Sequence, residues 1–443
     1  MSIKTLFEAE SIAVVGASHQ AHKVGHDIFR NLLVSRKKIY PINPNAKKIL
    51  GKKCYPSVLA VKEKIDLAVI AVHATLVPKV MNECAKKGIK SVIIISAGFS
   101  EIGKTELEKN VFDIAKRNGI RILGPNCLGV IDTAQKFNAT FFNKLPAKGD
   151  ISFVSQSGAL GVAVLDWAVK KKIGLSKFIS IGNTLDINVH ELIDYLNEDK
   201  NTKAICLYLE GLKKGREFIN SAKRSKKPII VLKAGETASG LKAAASHTGA
   251  LASEHAIYEG AFKQCGISQV NTLYQLFEVA QSHVLKACPV SLRALIITNA
   301  GGAGVIASDA FEKSGIEIAK IPEDLIKYIS KKLPPEWSHN NPVDVVGDAL
   351  PERYEAVLNI AEKEHFYDLI FLILTPQTMT DPDKVAQVFV DFRKRTKKPC
   401  FACFMGGRSV DKAKNILSKN GILNFEEPEY GAEVISKIGK CKV

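Results

Sequence analysis

"ISFVSQSGALG" (151–161) is a short apolar run that ends in a turn of hydroxyls and glycine, where a helix is expected to begin. An apolar, β-branched run of this length, punctuated by small residues and followed by an amphipathic stretch, reads as the strand and turn of a βαβ unit. A similar stretch, "LIITNAGGAGV" (295–305), recurs later in the chain. Two further markers follow each copy in the same order. "GNTLDIN" (182–188) resembles "NNPVDVV" (340–346), and "RSKKPIIVLKAG" (224–235) resembles "RTKKPCFACFMGG" (395–407). Shared markers in shared order predict two related flavodoxin-like domains with parallel sheets, over 145–287 and 290–443. The first holds an extra segment, about 236–285, that carries "AAASHTGALA" (243–252).

Upstream, "SIAVVGAS" (11–18), "KIYPINP" (38–44), "IDLAVIAVH" (65–73), "IKSVIIISAG" (89–98) and "IRILGPN" (120–126) read as five strands separated by helical stretches. They predict a Rossmann-like domain over 1–130. "FNATFFNKLPAKGD" (137–150) breaks this rhythm and is expected to be a linker. The fold class is therefore α/β, a Rossmann-like domain followed by two flavodoxin-like ones.

Composition excludes several classes of function. The 443 residues are 46% hydrophobic and 24% charged, as in packed soluble proteins. No apolar run reaches the roughly 18–20 residues of a membrane helix. The N-terminus shows no signal-peptide pattern, so a cytoplasmic location without membrane attachment is expected. Nine scattered cysteines, an odd number, predict reduced thiols. The C-x-x-C of "PCFACF" (399–404) reads as alternating strand residues, and no metal site is expected. The net charge of +17 comes largely from lysine doublets spread along helix surfaces, a solvated basic surface with no nucleic-acid partner.

The turn "VVGASHQAHKVG" (14–25) departs from the dinucleotide fingerprint, and no acidic residue closes the second strand to hold a ribose. Its small residues still suit a phosphate at the first helix N-terminus. The following "YPINPNAKK" adds lysines, which suits a ligand with extra phosphate such as coenzyme A; tight packing explains small residues equally well. "SQSGALG" and "SHTGALA" are two further hydroxyl-glycine turns with amides suited to an anion, the second beside His247. The alternative for His247 is an ordinary surface loop. Glu210, at the end of "LYLEG" (207–211), is placed to accept a hydrogen bond from one ring nitrogen and leave the other as nucleophile, or else to meet solvent.

Taken together, "SHTGALA", "GPNCLG" (124–129), "SQSGALG", "GN-x-x-D" (182–186), "LYLEG" and "NPVDV" resemble the α subunits of ADP-forming acetyl-CoA synthetases. These are nucleoside-diphosphate-forming acyl-CoA synthetases related to succinyl-CoA synthetase. The resemblance runs through essentially the whole chain and implies a CoA-binding domain followed by two ligase domains. It implies that His247 is phosphorylated during turnover and that Glu210 orients it. Ser155, Ser157 and Gly158 would grip phosphate from one helix start, and Gly249 and Ala250 from another. Gly16, Ser18, Lys23, Pro41, Asn43 and Lys47 would line the CoA phosphates and adenine. Ser96, Ala97, Gly98 and Asn126 would flank the pantetheine arm.

The implied reaction interconverts acyl-CoA, ADP and phosphate with carboxylic acid, ATP and CoA, through acyl phosphate and phospho-His247. No segment reads as an ATP-grasp domain. Mg-ADP or Mg-ATP is therefore expected on a separate ATP-grasp β subunit, in an α2β2 heterotetramer. The alternatives are a succinyl-CoA synthetase-like ligase for another acid and a non-catalytic CoA-binding regulatory protein.

Overall fold

The β-branched runs read from the sequence form parallel sheets. A computed structural model describes residues 3–240, 242 and 255–438, and the chain divides into compact units at residues 1–276 and 277–443.

In the first unit, β1 (Ser11–Val15), β2 (Lys38–Ile42), β3 (Leu67–Ile70), β4 (Ser91–Ile94) and β5 (Arg121–Leu123) pair in the order β2-β1-β3-β4-β5, all parallel. Every residue of β1, β3 and β4 is buried, as in a parallel sheet covered on both faces. Helices α1 (Thr5–Glu8), α2 (Val24–Leu33), α3 (Val77–Lys87) and α4 (Thr105–Asn118) accompany this sheet. The order reverses between β1 and β3, and doubly wound sheets open a crevice at such a switch, beyond the carboxyl ends of the strands.

The second sheet of this unit contains β6 (Gly129–Asp132), β7 (Phe137–Thr140), β8 (Lys148–Ser155), β9 (Leu175–Ser180), β10 (Ala204–Leu209), β11 (Ile229–Lys233) and β12 (Ser268–Val270). Its order is β12-β11-β10-β8-β9-β6-β7. The strands β8 to β12 are parallel, and the hairpin β6-β7 is antiparallel to the β9 edge. Residues 137–150 are thus not a linker throughout: β7 and the start of β8 lie within them. Their polar composition resembles that of a loop, but the polar side chains are paired inside the fold. Phe137 and Ala139 are buried, while Asn138 and Thr140 bond to each other and Asn31 donates to the Thr140 and Phe142 carbonyls, so the polar residues are satisfied inside.

Lys177 on β9 is 2% exposed and lies 2.8 Å from Asp132 on β6, which is 1% exposed. Asp199 lies 3.3 Å away, and the Phe7 and Tyr195 rings cover the ammonium. This buried pair links the hairpin to the sheet and the N-terminal helix α1.

In the second unit, β13 (Arg293–Thr298), β14 (Glu317–Ile318), β15 (Val343–Asp344), β16 (Leu369–Leu374), β17 (Cys400–Phe404) and β18 (Leu423–Asn424) form a parallel sheet. Its order is β14-β13-β16-β17-β18, with β15 also paired to β13. The β8–β12 strands repeat this order, so the echo in sequence is an echo in topology. Cys400 and Cys403 lie buried within β17, where burial pushes both thiols up to about 12, far from a reactive thiolate. Cys288 corrects the expectation of reduced thiols throughout: it is disulfide-bonded. Among the described residues no helix is long and apolar enough to cross a membrane, and no group of His, Cys, Asp and Glu is placed to hold a metal.

Candidate active site

The turn after β1 is built by backbone contact. Gly16 has φ +90°, and a Cβ there would sit 2.3 Å from the Ala71 carbonyl oxygen. A Cβ on Gly25, in the first turn of α2, would sit 1.9 Å from the Gly16 carbonyl oxygen. Only glycine lets the helix start lie against the turn. The N-cap of α2, Lys23, is extended and makes no side-chain capping bond, so the first amides of the helix are left for another acceptor. Asn43, just past β2, braces the turn by donating from Nδ2 to the Ala17 carbonyl at 2.8 Å. Ser18 accepts from the Gln20 amide, and its carbonyl lies 3.1 Å from His26 Nδ1. Pro41 is buried within β2, in register with Val14. Lys23 and Lys47 are exposed, and Lys47 begins a run with Lys48, Lys52 and Lys53 in which all four lysines are exposed.

At the carboxyl end of the first sheet lies a cavity of about 760 Å³. Ser96, Ala97 and Asn126 line it from the ends of β4 and β5, and Gln156, Ser157 and Gly158 line it from the turn into α5 (Gly158–Lys171). Residues expected at the pantetheine arm and residues expected at the phosphate therefore share one cavity. Gly98 has φ +107° and lies just beyond Ala97. Ser157 caps α5, its hydroxyl accepting from the Leu160 amide. Ser155 is fully buried, and its hydroxyl donates to the Ser157 carbonyl at 2.7 Å. Its hydroxyl is engaged within the turn, and Ser157 and Gly158 are the residues of that turn that line the cavity. Ser96 likewise turns its hydroxyl inward, to the Val72 carbonyl.

Glu210 follows the last residue of β10. Its amide and that of Gly211 donate to Gln156 Oε1, and Gln156 Nε2 donates to the Gly211 carbonyl at 2.8 Å. Burial, followed by the charge of Glu210 beside it, pushes Tyr208 up to about 12. Lys233, on the neighbouring strand, is lowered by burial and partly restored by Glu236 and Glu210. His247, Gly249 and Ala250 lie outside the described residues.

The "GN-x-x-D" motif had no role in the sequence beyond its resemblance. In the structure it ties the two sheets of the first unit together. The amides of Asn183, Leu185 and Ile187 donate to the carbonyls of Pro125, Gly124 and Ile122. Asp186 accepts from the Arg121 guanidinium and the Ile122 amide, both at 2.8 Å. Gly182 has φ +55°, and a Cβ there would meet the Pro125 carbonyl at 2.1 Å. Burial raises the Glu101 pKa, but hydrogen bonds from Asn183 and from the Gly98 and Phe99 amides outweigh it and hold the carboxyl below its ordinary value. Gln156 and Asn183 are the residues that sequence reasoning passed over, although both sit inside motifs it quoted.

Three family models match in tandem: a CoA binding domain over 10–133, a succinyl-CoA ligase like flavodoxin domain over 148–283 and a Ligase-CoA domain over 294–438. That order, with the cavity at the junction of the first two, defines the class of CoA ligases. The chain is 40% identical over 432 residues to subunit alpha of acetate–CoA ligase [ADP-forming] II of Pyrococcus furiosus, covering 96% of this chain and 94% of that one. It is 45% identical to acetate–CoA ligase [ADP-forming] of Methanocaldococcus jannaschii, covering 99% of this chain but spanning only 63% of that protein's length. Dinucleotide forming acetyl-coenzyme A synthetase 1 of Ca. Korarchaeum cryptofilum, solved with phosphate and ADP, superposes with a TM-score of 0.92 at 40% identity, over 99% of this chain and 96% of that one. The chain belongs to the family of ADP-forming acetate–CoA ligases.

Proposed function

We propose that this chain is the α subunit of an ADP-forming acyl-CoA synthetase of the acetate–CoA ligase type. The observation that carries the reading is the shared cavity, where Ser96, Ala97 and Asn126 face the same space as Ser157, Gly158 and the first amides of α5. A thioester end and a phosphate brought in beside each other are what acyl transfer to phosphate requires.

CoA phosphates lie at the α2 start, with Gly16, Ser18, Lys23, Pro41, Asn43 and Lys47 around them, and the pantetheine arm runs past Ser96, Ala97, Gly98 and Asn126. Phosphate held at the α5 start attacks the thioester carbonyl. The carbon–sulfur bond breaks, and acyl phosphate and CoA form. The fixed amides stabilise the phosphate charge through the reaction without reorganising. His247 then attacks phosphorus and releases the carboxylate, with Gly249 and Ala250 as further donors. Glu210 accepts from the other ring nitrogen and stabilises the phosphorylated imidazole. Phospho-His247 passes its phosphoryl group to Mg-ADP on a separate ATP-grasp β subunit, within an α2β2 assembly.

The acyl end favours a small monocarboxylate over a dicarboxylate, because no described residue lining the cavity carries a charged side chain to receive a second carboxylate. The test is ATP formation from acetyl-CoA, ADP and phosphate. The reading expects ATP when a β subunit is supplied and none from this chain by itself. Failure to make ATP with an active partner across a panel of short acyl-CoA thioesters contradicts it.

A further inference from the structure

We infer that Asn183 is a positioning residue that sets which atom of Asn126 faces the acyl-CoA cavity. This rests on the proposal that the cavity takes the pantetheine end of CoA. Asn183 Nδ2 lies 2.7 Å from Glu101 Oε2, 2.8 Å from Glu108 Oε2 and 3.2 Å from Ser100 Oγ. The bonds that Glu101 accepts hold its carboxyl below its ordinary value, and an ionised carboxylate only accepts hydrogen bonds, so this end of the amide has to be the nitrogen. Its other end, Oδ1, lies 3.2 Å from the Asn126 side chain and has to accept from it. Asn126 therefore turns Nδ2 away to Asn183 and keeps its carbonyl oxygen as the acceptor available at the cavity it lines. Amide orientation is ordinarily free to flip, and here two carboxylates remove that freedom in series.

The backbone supports the same relay. Asn126 has φ +57°, an uncommon conformation for a residue other than glycine, and its amide donates to the Ser96 carbonyl at 2.9 Å. The Asn183 amide donates to the Pro125 carbonyl at 2.9 Å, so the two side chains are held by adjacent rungs. Glu101 Oε1 accepts from the Gly98 and Phe99 amides, which ties the same carboxylate to another turn at the cavity. Lys213 Nζ donates to the Asn183 and Thr184 carbonyls. Among the described residues, the ionisable groups bonded to Asn183 are Glu101, Glu108 and Lys213. An acceptor held at Asn126 matches a donor on the ligand, and the pantetheine arm supplies amide N–H groups and a thiol.

The measurement is calorimetric titration of the full chain with CoA, comparing wild type, Asn183→Asp and Glu101→Gln at each pH, with thermal melting to confirm folding. The aspartate introduced by Asn183→Asp matches asparagine in size but sets a third carboxylate against Glu101 and Glu108; the repulsion raises the pKa of the cluster and drives the ionised side chain out of its place opposite Asn126 Nδ2. At about pH 8 the affinity of this variant relative to wild type is expected to fall about 10–100-fold, and near pH 5.5 proton uptake restores a donor and closes the gap to about threefold. Glu101→Gln adds no charge but leaves one accepting oxygen where two served, so a donor is set against either Asn183 Nδ2 or the Gly98 and Phe99 amides, and its loss, about tenfold, is expected to be the same at both pH values. Wild-type affinity in both variants overturns the inference, as does an Asn183→Asp loss that pH leaves unchanged. Should Asn183→Asp fail to fold, Glu101→Gln binding as tightly as wild type overturns it. Absence of CoA binding by the wild type sinks the CoA reading itself.

Discussion

Gln156 holds the strand end that carries Glu210: its Oε1 accepts the Glu210 and Gly211 amides, and its Nε2 returns a bond to the Gly211 carbonyl at 2.8 Å. Gln156 also lines the cavity, so one side chain connects the start of α5 with the end of β10. Gln156→Ala frees that strand end and shifts the Glu210 carboxylate. The expected outcome is a fall in kcat of about 10–100-fold in ATP formation with the β subunit, as small misplacements of a catalytic group produce. CoA affinity, measured by titration, is expected to stay within about threefold of wild type.

Gly25→Ala tests the CoA turn. Its new methyl group meets the Gly16 carbonyl oxygen at 1.9 Å, so helix and turn have to part. Overpacking of this kind costs about 1–3 kcal/mol. A lower Tm in calorimetry, by about 2–4 °C per kcal/mol, is expected together with clearly weaker CoA binding. Unchanged CoA affinity would mean that the ligand does not use this turn.

Asp132→Ala strands the Lys177 ammonium in a site where both partners are almost wholly buried. Removing one member of such a pair costs about 3–5 kcal/mol, because an unpaired charge remains inside. Asp199 at 3.3 Å offsets part of this. Denaturant unfolding is expected to show a loss of at least about 2 kcal/mol, and the double variant Asp132→Ala with Lys177→Met should recover much of it, since no charge is then stranded.

His283, in the second unit, is pushed down to about 4 by burial, against an ordinary value of 6.5, with only partial opposition from a bond to the Ile438 carbonyl. Between these values the unfolded chain binds a proton that the folded chain does not. Stability therefore rises with pH across this window and is lost as pH falls from about 6.5 towards 4. The gap corresponds to about 3 kcal/mol. Urea unfolding of wild type and His283→Gln at stepped pH measures it, and the variant should lose the part of the pH dependence that lies in this window.

Most of the parallel strands were legible because they are short apolar runs bounded by turn-forming residues, the pattern of strands buried on both faces. Ser96, Ala97 and Asn126 came from the family resemblance and Ser157 and Gly158 from a hydroxyl-glycine turn at an expected helix start, and the structure sets all five around one cavity. The hairpin at 129–140 was not legible: Asn138 and Thr140 read as loop residues unless their internal hydrogen bonds are known. Ser155 and Ser96 were named as site residues, but their hydroxyls turn inward to carbonyls, a direction that residue type does not encode. Gln156 and Asn183 were missed for the same reason. An amide carries no signal of its own until the groups on either side of it are in place.

Phosphoryl transfer through His247 is tested most directly by labelling of this chain with acetyl-CoA and ³²P-phosphate without a partner subunit. The acyl phosphate formed at the α5 start should phosphorylate the ring, giving a protein-bound label that survives alkali and is lost in acid. His247→Ala should abolish the label while leaving CoA binding intact, and Glu210→Gln should slow labelling by about 10²–10⁴-fold, as when the group orienting a catalytic imidazole is neutralised. A label that resists acid, or one that persists in His247→Ala, contradicts the mechanism and assigns the phosphoryl group to another residue.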